Sequence, residues 1–66
     1  MKGKLAKEYC GLSLDIIVMS SPAGYYIGTG NEEYGPVSRE SLEYFSTEKE
    51  CETALRNGSW TQRDEP

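Results

Sequence analysis

The chain contains no histidine. That removes His-based general-base catalysis, a Ser-His-Asp triad and imidazole ligation of a metal. Cysteine is scarce too. Cys10 and Cys51 allow one bridge at most, and their spacing fits no metal motif. Both read as reduced core thiols of a cytoplasmic protein. No apolar run approaches the roughly 18 residues of a membrane span. Basic residues are in the minority, with 7 Lys+Arg against 11 Asp+Glu and a formal net charge of -4. Lys2, Lys4 and Lys7 oppose only Glu8 in residues 1–10, so the acidic excess lies in the rest of the chain. An acidic body repels phosphate backbones, which disfavours general nucleic-acid binding.

The basic start, residues 12–19 and Ser21-Pro22-Ala23 have the outline of a secretory signal. Glu8 and Asp15 break that pattern, and its apolar run is short, so the chain reads as cytoplasmic with no membrane contact. Sixty-six residues make one small domain. A chain of this size hides only about 60% of the surface its unfolded form exposes. Further support is expected, and with no disulfide framework or metal motif, self-association is the expected source.

What the chain does contain is strand and helix patterning. Residues 12–19 alternate Leu12, Leu14, Ile16 and Val18 with Ser13, Asp15, Ile17 and Met19, which predicts a strand apolar on both faces in its second half. A turn at 20–24 leads to a second predicted strand, 25–29, rich in aromatic and β-branched residues. Residues 30–36 read as a polar loop. Residues 37–45 fit either a helix or a strand, and 40–45 is taken as the third strand. Thr47 and Glu50 form a T-x-x-E capping box, Gly58 is a helix stop, and Cys51, Ala54 and Leu55 form a narrow apolar stripe. Together they predict a helix over 48–57. Residues 60–63 alternate and are expected as a last strand.

The expected architecture is α+β: an antiparallel sheet of three to four strands with one helix, in the C-terminal half, on one face. Residues 11–63 form the domain. Residues 1–10 are a partly flexible segment, either one or two helical turns or a frayed tail, and 64–66 are a solvated tail.

The stretch Glu43-Tyr44-Phe45-Ser46-Thr47-Glu48-Lys49-Glu50-Cys51-Glu52-Thr53-Ala54-Leu55 resembles the strand-to-helix half of the short repeats in YegP-like bacterial proteins. Glu43, Phe45, Thr47, Cys51 and Leu55 follow the order of those repeats, with Cys51 where Ala is usual. The resemblance implies a small antiparallel sheet covered by a helix, and no activity.

Candidate chemistry is thin. Gly28-Thr29-Gly30 lacks the third glycine of a dinucleotide-binding loop, because Glu33 stands there, so it reads as a strand end and turn. Glu32 with Glu33, and Glu40 with Glu43, lie in polar segments and read as solvated faces, in a fold with little room for a pocket of roughly 300 Å³. No calcium-loop pattern is present. Cys51 reads as core packing, and the serines at 38 and 41 lack a base to activate them. No cofactor or metal is expected.

The aromatics stand out. Tyr25 and Tyr26 must point to opposite faces of their strand. One of them is expected with Ile17 and Met19 on the face away from the helix, under a second copy or another protein. Ile17, Met19, Tyr25, Tyr26 and Trp60 therefore make the expected interaction surface. The function expected is a non-enzymatic protein-interaction module that self-associates as a homodimer. The alternative is a nucleic-acid-related accessory protein, either stacking single strands on its aromatics or imitating DNA with its acids.

Overall fold

The computed structural model describes residues 2–65. Ser21 pairs with Gly24 across Pro22-Ala23, and this short connection folds β1 (Ile17–Ser21) back on β2 (Gly24–Asn31). A second turn, in which Asn31 Oδ1 accepts the Tyr34 N–H at 2.7 Å, returns the chain as β3 (Gly35–Arg39). The sheet is an antiparallel meander in the order β1-β2-β3, with a register shift between Thr29 and Gly30. Two helices flank it, α1 (Lys4–Cys10) and α2 (Glu48–Asn57). This is the α+β architecture expected, with a small sheet and a helix in the C-terminal half.

α2 forms where the local signals place it. Thr47 is extended, and its hydroxyl accepts the Glu50 N–H at 3.1 Å. The Glu50 carboxylate takes the Ser46 hydroxyl at 2.9 Å. Gly58 stops the helix with φ +70°, a left-handed conformation that a Cβ would penalise. Ten residues are too few to hold a helix in water, so its stripe must pack. Cys51, Ala54 and Leu55 meet Val18, Tyr25 and Ile27 of the sheet and Ile16 just before β1, and Phe45 and Trp60 close the cluster.

β2 alternates, so Tyr25, Ile27 and Thr29 share the face under α2, while Tyr26 and Gly28 share the reverse face. By the pairing register, Ile17 and Met19 of β1 and Arg39 of β3 join that reverse face.

The element boundaries differ from expectation at four places. The first strand begins at 17, not 12. Gly11 takes φ +68° at the end of α1, and the Leu12 N–H bonds Ala6 O at 3.0 Å, so Leu12 belongs to the stop of α1. Leu14 O then accepts the Gly3 N–H at 2.8 Å. The third strand is 35–39, not 40–45. After Arg39 the chain turns inward, and the N–H groups of Glu40 and Ser41 both bond Ile27 O at 2.9 Å. Only Phe45 returns to the sheet, as an isolated bridge to Tyr25. The expected strand at 60–63 is reduced to one bridge, Gln62 with Ser41. Residues 28–30 are interior to β2 rather than a strand end. Of the two readings of residues 1–10, the short helix is the one that forms.

Candidate functional site

Glu40 overturns the solvated-face reading of its segment: it is fully buried. Its carboxylate accepts the N–H of Leu5 at 2.9 Å and of Ala6 at 3.1 Å, two of the orphan donors at the start of α1. It also accepts the Ser38 hydroxyl at 2.5 Å and the Gln62 side-chain amide at 2.7 Å. With its proton given to Glu40, Ser38 receives the Thr29 hydroxyl at 2.6 Å. Burial pushes the Glu40 pKa up, but the hydrogen bonds from Leu5, Ser38, Gln62 and Ala6 outweigh it and hold the pKa below its ordinary value. A carboxylate held ionised and fully engaged by donors is a cap, not a general acid. Glu43 stays partly exposed and accepts the Thr61 N–H at 3.0 Å.

The cysteines part ways. Cys51 is buried as expected, and burial followed by the nearby Glu52 charge pushes its thiol pKa up, away from reactivity. Cys10 is exposed, contrary to the core reading, because α1 buries only Leu5 and Ala6 against the rest of the fold. Both thiols are free. Among the described residues no group of three or more acidic or thiol side chains is placed to hold a metal ion, and no helix is long and apolar enough to cross a membrane.

The five residues expected to form one interaction surface lie on two faces. Tyr25 and Trp60 pack against the core under α2. Ile17, Met19 and Tyr26 are on the reverse face, where no helix lies. That face is largely closed by its own side chains. Tyr26 is only 8% exposed. The Tyr44 ring meets it edge-on at 6.1 Å, and the Arg39 guanidinium lies 4.5 Å from the centre of the Tyr44 ring. Gly28 makes room for the Tyr26 ring: a Cβ there would lie 2.9 Å from Tyr26 Cε2. Ile17, at 43%, is the most exposed apolar residue of β1.

The open feature is the outer edge of β1. Tyr25 exchanges backbone hydrogen bonds with Phe45 at 2.9 and 2.7 Å, and Ile27 O accepts from Glu40 and Ser41. Odd-numbered residues of β2 therefore point their backbone groups away from β1, and even-numbered ones toward it. Through the register Ile17↔Gly28, Met19↔Tyr26 and Ser21↔Gly24, the inward-bonding residues of β1 are Ile17, Met19 and Ser21. Val18 and Ser20 turn their N–H and C=O outward. The β3 edge is treated differently. Arg63 reaches Arg39 O with its guanidinium at 3.2 Å and Glu40 O with its N–H at 2.8 Å, which covers the end of that strand.

A groove of about 580 Å³, open to solvent, runs between the β1 edge and α2. Residues 16–20 form one wall, Glu48, Glu52, Leu55 and Arg56 the other, with Tyr25 also lining it. It exceeds the pocket expected for so small a fold, because it is a surface cleft beside the core rather than a cavity within it. A second cleft of about 600 Å³, beside Phe45, Thr53 and Ser59, adjoins no strand edge. The signal that marks the first groove was present in the chain: the run Ile17-Val18-Met19-Ser20-Ser21 has no charge, Pro or Gly to blunt an edge.

Comparison of the chain with protein-family models, curated proteins and solved structures gives no match. The likeness of residues 43–55 to YegP-like repeats thus rests on the cap and helix alone, since its expected strand half is a single bridge.

Proposed function

We propose that this chain is a non-enzymatic protein-interaction module that receives an extended strand from another protein chain along the outer edge of β1. The observation that carries the reading is the pairing of two features at one place. Val18 and Ser20 present unpaired backbone donors and acceptors, and beside them runs a groove in which Leu55 and Tyr25 supply apolar surface between the charged side chains of Glu48, Glu52 and Arg56. Main-chain hydrogen bonds supply affinity in strand addition, and pockets for alternate side chains supply specificity. The buried Glu40 carboxylate is engaged in holding α1, so it is not offered to a substrate.

Nucleic acid fits this site less well. The groove carries Glu48 and Glu52 against one Arg56, an acidic balance that repels a phosphate backbone, and Tyr25 and Trp60 are partly buried against the core cluster rather than standing free as a stacking platform.

The test is an amide NMR spectrum followed in a concentration series and in titrations with peptides selected on the chain from a random display library. Shifts concentrated at residues 16–20 and 48–56 are expected, and Ser20→Pro should abolish them by deleting an outward N–H. Resonances in those two segments that respond to neither concentration nor peptide overturn the reading.

A further inference from the structure

We infer that the occupant of the β1 edge is a second copy of this chain, joined β1 to β1 about a two-fold axis at Val18. The inference rests on the strand-receiving reading and names its partner. Antiparallel pairing requires the outward-bonding residues of one strand to face those of the other. An axis at Val18 meets that condition, with Val18 opposite its own copy and Ile16 opposite Ser20. The close, non-hydrogen-bonded pairs are then Ile17 of each copy with Met19 of the other, formed twice on the reverse face. An axis at Met19 also satisfies the backbone, but it sets Ile17 opposite Ser21. Cross-strand apolar pairs are the unit of sheet stabilisation, so the Val18 axis is the favoured one. It covers Ile17, the most exposed apolar residue of the strand.

The groove wall obeys the same operation. A strand added at about 4.8 Å carries its own α2 on the same face of the sheet. The axis turns the two α2 helices antiparallel. Glu48 and Arg56 stand two turns apart on the groove side of α2, so each Glu48 is directed toward Arg56 of the other copy. Glu52 lies midway between them and meets its own copy, the one unfavourable contact in the set. One rotation thus pairs the apolar row of β1 and the charged ends of the α2 row together, and turns two three-stranded sheets into one of six strands. No separate peptide is needed to complete either row, and β1 ceases to be an edge.

Light scattering of the eluting full chain, from micromolar to millimolar, should show the mass rising from 7.4 kDa toward twice that value. Ser20→Pro should stay at the monomer mass with an unchanged circular-dichroism spectrum. Register is read by disulfide trapping in a Cys10→Ser background. Oxidising a mixture of Ile17→Cys chains and Met19→Cys chains should give the mixed dimer as the main product, while Met19→Cys alone should not cross-link. A wild-type chain that stays monomeric at millimolar concentration overturns the inference, and Met19→Cys cross-linking as readily alone as in the mixture overturns its axis. A monomer whose residues 16–20 still respond to selected peptides leaves the strand-receiving reading standing without the second copy. A monomer that responds to none removes both.

Discussion

The Glu40 carboxylate accepts the Leu5 N–H at 2.9 Å across 35 residues of sequence. α1 has no side-chain cap of its own, because Gly3 occupies the capping position. That glycine is required: a Cβ there would overlap Thr29 Cγ2 and come within 2.8 Å of Glu40 Oε2. The end of β3 thus supplies from a distance what a local Ser or Asp supplies in most helices. Glu40→Ala strands the two buried N–H groups of Leu5 and Ala6, while Ser38 keeps the Thr29 hydroxyl and the Gln62 amide keeps the carbonyls of residue 40 and Arg63. It should destabilise the chain by ~3 kcal/mol, since each hydrogen bond to a charged group is worth roughly 1.5–3 kcal/mol. Denaturant unfolding measures the loss, and hydrogen exchange should show residues 4–10 losing protection first.

Acid should act through the same carboxylate. Its pKa in the folded chain lies below its ordinary value of 4.5, so near and below that pH the unfolded chain binds the proton more readily. The stability that Glu40 contributes is complete above pH 4.5 and is lost as pH falls through its lower folded value. Glu43, held low by the Thr61 N–H against the opposing effect of burial, acts with the same sign. Glu40→Gln should be less stable at neutral pH and should flatten the acid limb of a stability-against-pH curve. A wild-type curve with no slope below pH 4.5 would contradict the assignment.

The parts legible in the sequence are those decided by neighbours in the chain. Thr47, Glu50 and Gly58 fix α2 within a few residues of themselves, and the Cys51-Ala54-Leu55 stripe needs only helical spacing to face the sheet. The segment 37–45 was not legible, because its conformation is decided by distant groups. Glu40 and Ser41 turn inward to Ile27 O and to the start of α1, and nothing in their own neighbourhood signals those partners. The start of β1 was misplaced for a similar reason. Leu12 and Leu14 alternate like a strand, yet α1 engages Leu12 and Gly3 engages Leu14. At the site, the apolar second half of the first predicted strand did mark β1. The closure of the reverse face by Tyr44 and Arg39 depends on a loop whose path the sequence does not declare.

Gly28 sits on the reverse face beneath the Tyr26 ring, and an added Cβ would meet Tyr26 Cε2 at 2.9 Å and overlap Ser38 O. The backbone oxygen cannot swing aside as a side chain can, so the β2–β3 pairing must open. Gly28→Ala should therefore cost about 1–3 kcal/mol, the range for overpacking a close-fitting site. Gly58→Ala meets no atom within 4 Å and bears only the strain of φ +70°, about 1 kcal/mol. The ordering of the two thermal midpoints, with Gly28→Ala the lower, is the measurement that checks steric closure against backbone strain.

Ala54 is 6% exposed in the stripe that seats α2 on Ile16 and Ile27. An aspartate there puts a charge in the core cluster with no cation in that cluster to pair with it. Burying a polar group without a partner costs at least ~2 kcal/mol, and an ionised one more. A domain of this size has only about 3–5 kcal/mol to lose. Ala54→Asp should consequently abolish the cooperative melt, while Thr53→Asp, exposed one position earlier, should leave it nearly unchanged. The two variants add the same charge to the same helix. Equal melts would mean that α2 does not hold the sheet, and with it would go the inner wall of the β1 groove.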